Sequence, residues 1–272
     1  MIEILKAVLF GIVQGITEWL PISSTGHMIL VNEFVELKVR PEFLDAFLVV
    51  IQFGSILAVV VLFWNKIFPF DLKAKPIIKK DIFMLWFKIV VACIPAIVIG
   101  LPFDDLFTEM FYNYYCVAIA LIVFGILFIV VENRNKKVKP RVTKLSDITF
   151  QMAFIIGIWQ LIAAIFPGTS RSGATIIGAL LLGISRTAAA EFTFFLAIPV
   201  MFGASLLKLV KHGLAFDAAE WSILLVGMAV AFGVSVAVIR FLMGYIKKHD
   251  FKVFGWYRIV LGAVVLLYFG LK

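Results

Sequence analysis

The sequence predicts an all-α polytopic membrane protein, with six transmembrane helices plus two re-entrant helix-loop-helix segments in an inverted-topology repeat. Three observations carry that expectation. Of 272 residues, 63% are hydrophobic and 15% charged, whereas a soluble domain of this size carries about 25% charged residues. The lysines and arginines gather in alternate loops. One motif-bearing segment, interrupted by proline, glycine and hydroxyl residues, occurs twice.

The apolar runs come first, because a helix needs roughly 20 residues to cross a bilayer. They span residues 47–64, 82–100, 112–131, 192–210, 221–243 and 253–269. After the first run stand Lys66, Lys73, Lys75, Lys79 and Lys80; after the third, Arg134, Lys136, Lys137, Lys139, Arg141 and Lys144; after the fifth, Lys247, Lys248 and Lys252. The loops between these are acidic or mixed, with Glu33, Glu36, Glu42 and Asp45 in one and Asp104, Asp105 and Glu109 in another. That alternation is the positive-inside pattern, so the basic loops are expected in the cytoplasm and both termini outside. The net charge of +8 therefore sets orientation and does not call for a nucleic-acid partner. The amino terminus lacks a basic region and a small-residue cleavage site, and is read as mature structure. Cys93 and Cys116 fall in apolar stretches and read as packing residues. The 28 phenylalanines read as lipid-facing and core bulk. Glu191 and Asp45 read as helix-start residues, and Arg186 as a loop charge.

The repeat organises the rest. A constant offset matches Gly11 with Gly157, Gln14 with Gln160, Pro21 with Pro167 and Ser24 with Ser170; further on, Phe53-Gly54-Ser55 resembles Phe202-Gly203-Ala204. Residues 1–131 and 149–272 become two halves, joined by a basic cytoplasmic linker at 132–148. Each half has one motif segment and three spans. Irregular backbone at membrane depth is tolerated only inside protein or along a watery cavity, so each motif segment is expected to turn near the middle and leave by the face it entered. Three spans is an odd number, hence the halves are inverted. The first motif segment then enters from outside, the second from the cytoplasm, and their tips meet near the midplane. Were the motif segments full spans, each half would have four spans and the repeat would be parallel.

The tips concentrate reactive side chains. Gln14 and Glu18 lie one turn apart on one helix face, followed by Ser23, Ser24, Thr25 and His27. The second half brings Gln160, Thr169, Ser170, Arg171 and Ser172. Ionisable groups at membrane depth cost about 2.5–3.5 kcal/mol each on insertion scales, so Glu18 and Arg171 are expected to be paired and functional. Each Ser/Thr cluster opens a second half-helix, where hydroxyls and free N–H groups make a phosphate cradle. Arg171 adds a fork suited to phosphate. Taken singly, each feature has a bland reading: a cap, a satisfied histidine, glutamine glue between helices. Their concentration in two repeat-related turns favours chemistry.

Gln14-x-x-x-Glu18 followed by Leu20-Pro21-Ile22-Ser23-Ser24-Thr25-Gly26-His27, together with Pro167-Gly168-Thr169-Ser170-Arg171-Ser172-Gly173-Ala174-Thr175, resembles the bacterial undecaprenyl-diphosphate phosphatases of the bacitracin-resistance type. The likeness spans essentially the whole chain. It implies removal of the terminal phosphate from a C55 isoprenoid diphosphate in the bacterial plasma membrane, so that the carrier returns to peptidoglycan synthesis, with a site open to the external face. It maps function onto Gln14, Glu18, Ser24, His27, Ser170 and Arg171. Many members have Glu at the position of Gln14, which weakens a two-carboxylate metal site here. The resemblance implies dependence on Mg²⁺ or another divalent cation, yet the sequence carries no dedicated metal cage. Ser24 is the candidate nucleophile, with Glu18 or His27 accepting its proton; direct attack by water is the alternative. The expected partners are the isoprenoid diphosphate and membrane lipids, and a homo-oligomer is left open. A flippase for a lipid phosphate is the rival reading, since inverted repeats with broken helices also build transporters. A lipid phosphatase of the phosphatidic-acid type fits less well, because the chain has no Lys-x6-Arg-Pro run.

Overall fold

The computed structural model describes residues 1–70, 77–136, 138–212 and 216–271; Lys73, Lys75 and Lys137 of the basic loops lie outside the described residues. The described chain is built of helices. In order they are α1 (Ile2–Thr17), α2 (Ser24–Phe34), α3 (Pro41–Leu62), the single turn α4 (Trp64–Ile67), α5 (Lys80–Pro95), α6 (Asp104–Phe111), α7 (Tyr114–Asn135), α8 (Phe150–Ile165), α9 (Arg171–Leu181), α10 (Arg186–His212), α11 (Ala218–Tyr245) and α12 (Lys252–Gly270). Among the described residues six helical stretches are long and apolar enough to cross a membrane, the second of them α5 with the turn that follows it to Gly100, and each overlaps one of the six apolar runs. Their local signals agree with their bounds. Pro41 opens α3, where its missing N–H costs nothing. Asn113 and Thr149 cap α7 and α8, and Asp217 forms a reciprocal capping box with Glu220 on α11. Pro95 deprives α5 of a backbone donor, and the helix loosens into a π-turn over Ala96–Gly100 before it ends.

Small residues set the packing. Gly125 of α7 and Gly255 of α12 face each other so closely that a Cβ on either would stand 2.7 Å from the other's carbonyl oxygen. Gly11 of α1 lies against α11 in the same way, with its Cβ position 2.6 Å from the Gly227 oxygen. Such contacts let backbones approach where lipid and side chain are equally apolar. The same logic pairs α8 with α5, through Gly157 on the Ala92 backbone, while α3 lies against both α10 and α11. Phenylalanine fills the interior, with Phe10, Phe47, Phe128, Phe192, Phe194 and Phe195 fully buried, and also coats the lipid face at Phe87, Phe202 and Phe241. Cys93 is buried and Cys116 half-buried, both free thiols.

Polar ties join helix ends. Arg40 forks onto Glu220, with Nε–Oε1 at 2.8 Å, and Lys66 reaches Glu191 at 2.7 Å. Arg186 grips the fully buried carboxylate of Glu132, which also accepts the Phe251 N–H at 3.0 Å. Arg186 is thus more than a loop charge, and Glu191 more than a helix-start residue: both are halves of interhelical ion pairs whose partners lie far away in sequence.

The broken segments return on themselves. Near the start of α1, Glu3 accepts the Lys38 N–H at 2.9 Å, and Lys6 donates to the Glu36 carbonyl at 2.6 Å, beyond the end of α2. In the second half, the end of α9 meets the segment that precedes α8. Asn135 donates to the Leu180 carbonyl at 3.2 Å, the Arg141 N–H to Gly183 at 2.8 Å, and the Ser185 N–H to Val142 at 2.8 Å.

Candidate active site

Between α1 and α2 the chain turns through Pro21 to Ser23; between α8 and α9 it turns through Pro167 to Ser170. Ser23 and Ser170 are the only non-glycine residues at positive φ among the described residues, at 74° and 69°. Each hydroxyl accepts the N–H three residues on, from Gly26 at 3.3 Å and from Gly173 at 3.2 Å. Backbone in this region costs about 1–3 kcal/mol and collects at functional sites. The caps also correct the expected register: Ser170 corresponds structurally to Ser23, not to Ser24. The second turn carries one extra residue after its proline, because Gly168 at φ 92° lets the backbone swing wider before the cap closes. Ser24 therefore matches Arg171.

The turns bring the two motifs together. Glu18, 6% exposed, stands where α1 ends, and its carboxylate is shared. One oxygen takes the Arg171 Nη2 donor at 2.7 Å; the other accepts the Ser24 hydroxyl at 3.0 Å and the Gln14 amide at 2.9 Å. Arg171 also donates to the Thr193 carbonyl at 3.3 Å, and its Nη2 lies 3.3 Å from the Met201 sulfur. Ser172 donates to the Glu18 carbonyl at 3.1 Å and stands 3.2 Å from Ser170. A cavity of about 160 Å³ opens on this group, lined by Glu18, Ser24, Thr25, Ser170, Arg171 and Ser172, and by Gln52 of α3. Two half-helix N-termini and one guanidinium border it, so it suits an anion.

Three expected members stand apart. His27 turns from the cavity: Nδ1 donates to the Ser23 carbonyl at 2.7 Å, which leaves Nε2 to accept from the Tyr257 hydroxyl at 2.7 Å, and its ring stacks parallel to that of Tyr257. Gln160 is buried, and among the described residues neither its amide atoms nor the buried Thr169 hydroxyl finds a hydrogen-bond partner. None of the three lines the cavity.

Sequence reasoning missed two residues. Gln52 lines the cavity from within the first apolar run. Arg258 of α12 is 0% exposed and donates to the Pro21 carbonyl at 3.2 Å, to Gly168 at 3.0 Å and to Thr169 at 2.7 Å, with longer reaches of 3.5 Å to Ala120 and Leu121. The available signal was an ionisable residue in the last apolar run, which at membrane depth marks function by default.

As for a metal, no group of three or more His, Cys, Asp or Glu side chains is placed to hold one among the described residues. Glu18 is the one carboxylate lining the cavity.

Comparison with known proteins agrees with the motif resemblance. The family model described as "Bacitracin resistance protein BacA" matches residues 7–264. The chain is 65% identical to the undecaprenyl-diphosphatase of Desulfitobacterium hafniense, over all of this chain and 98% of that protein. It is 64% identical to undecaprenyl-diphosphatase 1 of Clostridium acetobutylicum, over 98% of each. With an undecaprenyl-diphosphatase of Enterococcus faecalis it shares 62% identity, over 98% of this chain and 97% of the other. A match of that extent places the chain in the family of the bacitracin resistance protein BacA.

Proposed function

We propose that this protein hydrolyses undecaprenyl diphosphate to undecaprenyl phosphate and inorganic phosphate, returning the lipid carrier to cell-wall synthesis. The description of its family ties the same activity to bacitracin resistance. The observation that carries the reading is the shared carboxylate. Glu18 holds a nucleophile-grade hydroxyl on one oxygen and a phosphate-grade guanidinium on the other, drawn from opposite halves of the chain.

The mechanism follows from that sharing. The diphosphate enters the cavity against the N-termini of α2 and α9 and takes the Arg171 fork. Glu18 thereby gives up its ion pair and is free to accept a proton. Ser24 Oγ attacks the terminal phosphorus while its proton passes to Glu18. The bond from that phosphorus to the bridging oxygen breaks, and the lipid monophosphate leaves with the electron pair and the Glu18 proton. Water then attacks the phosphoserine and gives a proton to Glu18, which returns it to Ser24 as inorganic phosphate departs. Arg171 and the half-helix N–H groups balance charge on the transferring phosphoryl throughout. Glu18, not His27, is the proton acceptor in this scheme, because His27 has both ring nitrogens engaged elsewhere. Mg²⁺ is held by one or two carboxylates plus substrate phosphates, so a divalent ion would be held by the diphosphate and Glu18, the carboxylate that lines the cavity, and would neutralise phosphate charge.

The finer topology belongs to the same proposal. Residues 1–131 and 149–272 are inverted halves, with re-entrant pairs α1–α2 and α8–α9, both termini outside and the site reached from the external leaflet. The closure of each broken pair on its own entry point supports re-entry. The exchange of partners supports a two-fold relation between the halves, since α1 lies along α11 just as α8 lies along α5.

Purified protein in detergent is expected to release phosphate from undecaprenyl diphosphate, and acid quenching during turnover to trap phosphoserine at Ser24. Ser24→Ala with near-normal turnover would remove the covalent route in favour of direct attack by water. No phosphate release at all would leave the flippase reading.

A further inference from the structure

Arg258 is the one buried cation at the turns that the scheme above leaves unused. Arg171 is matched by Glu18. Arg258, fully buried, has no carboxylate partner among the described residues; its donors all go to carbonyl oxygens, in both turns and, at longer range, on α7. A guanidinium can do this because its planar fork presents five donors in fixed directions; an ammonium cannot span both turns. The Thr169 carbonyl faces Arg258 at 2.7 Å. A planar trans peptide that points its oxygen one way points the next N–H the other. Holding the Thr169 oxygen therefore turns the Ser170 N–H away from Arg258, at a residue that lines the cavity.

We infer that Arg258 is a positioning residue for this reaction: it pins the Pro21 and Gly168–Thr169 turns to each other, orients the Ser170 N–H toward the bound phosphate, and supplies the uncompensated positive charge behind a cavity whose own ion pair is neutral. This rests on the phosphatase reading for its substrate, though not for its geometry. The charge acts through one layer of peptide in a low-dielectric interior, where fixed dipoles are worth most. The neighbourhood leaves little slack. A Cβ added at Gly173 would lie 2.9 Å from Arg258 Nη1 and 3.2 Å from Ser170 Cβ.

Arg258→Lys and Arg258→Gln are compared with the wild type for phosphate release and for inhibition by methylenediphosphonate, a diphosphate headgroup that cannot be cleaved. Arg258→Gln, counted per monodisperse molecule, is expected to lose kcat about 100-fold and to bind methylenediphosphonate more weakly. Arg258→Lys keeps the charge without the clamp, so inhibition returns while kcat stays about tenfold low, the mark of a misplaced site. An arginine that only stabilises the fold would lower the folded fraction and leave both constants of the folded molecules unchanged; that result overturns the inference. If Arg258→Gln does not fold, Gly173→Ala decides, because it displaces the guanidinium while keeping the charge. A kcat drop of about tenfold is expected, and wild-type constants there also overturn the inference. Failure of the phosphatase reading is distinguishable, since the wild type would then release no phosphate. Protection from thermal unfolding by methylenediphosphonate would still rank wild type and Arg258→Lys above Arg258→Gln.

Discussion

The two broken turns share a cap and differ by one residue in length. Both end in a serine at positive φ that caps the next half-helix, and both give carbonyls to Arg258. Their side chains differ. In the first turn, Gln14 finds Glu18, and Glu18 finds Ser24. In the second, Gln160 has no partner among the described residues, and the residue four places on is the exposed Ala164. The first turn offers a base and a hydroxyl; the second offers a cation and hydroxyls. In the proposed mechanism the two turns divide the work, with proton transfer on one side and charge stabilisation on the other.

The largest expected effect tests that division directly. Glu18→Gln keeps the shape and removes the base, so phosphate release should fall at least about 10³-fold, with KM little changed. Ser170→Ala, in the second turn, removes a hydroxyl beside the phosphate and should cost about tenfold, mostly in KM. Steady-state kinetics of both variants would break the comparison if Ser170→Ala proved the more damaging in kcat.

The next effect is on stability and concerns what the turns share. At Ser23 and Ser170 a Cβ is strained and a cap is needed. Alanine keeps the strain and loses the cap, so Ser23→Ala should cost about 1 kcal/mol. Glycine loses the cap but relieves the strain, and should cost only a few tenths of that. Thermal unfolding in detergent should give the same order at Ser170. A glycine variant less stable than alanine at either position would mean that positive φ is not what those serines are adapted to.

These turns also mark how far the sequence can be read. The six spans were legible because hydropathy over 20 residues is a local property, whereas α3 and α11 begin several residues ahead of the apolar runs that marked them. The pairing of Glu18 with Arg171 was legible because two opposite charges at membrane depth have few alternatives. The slip of register at Gly168 was not, since identical letters at constant offset matched Ser24 with Ser170, and only the cap geometry separates them. The direction of His27 was equally hidden: its partner is Tyr257, on the last helix. Arg258 was visible as a charge in an apolar run, but the carbonyls that satisfy it come from three separate segments, which no spacing rule brings together.

The smallest expected effect isolates the glutamines. A buried amide without hydrogen bonds costs about 1–3 kcal/mol relative to a satisfied one, and replacing it with an apolar side chain of similar size can be neutral or stabilising. Gln160, 2% exposed and without a protein partner, should therefore tolerate Gln160→Leu, with an unfolding temperature equal to or above that of the wild type. Gln14→Leu should behave in the opposite sense, because it strips one donor from the Glu18 carboxylate and leaves that charge leaning on Arg171 and Ser24 alone. The paired measurement is thermal unfolding together with KM. Were Gln160→Leu to raise KM while Gln14→Leu did not, the substrate would be touching the second glutamine. The two turns would then share the binding of the diphosphate more evenly than their side chains suggest.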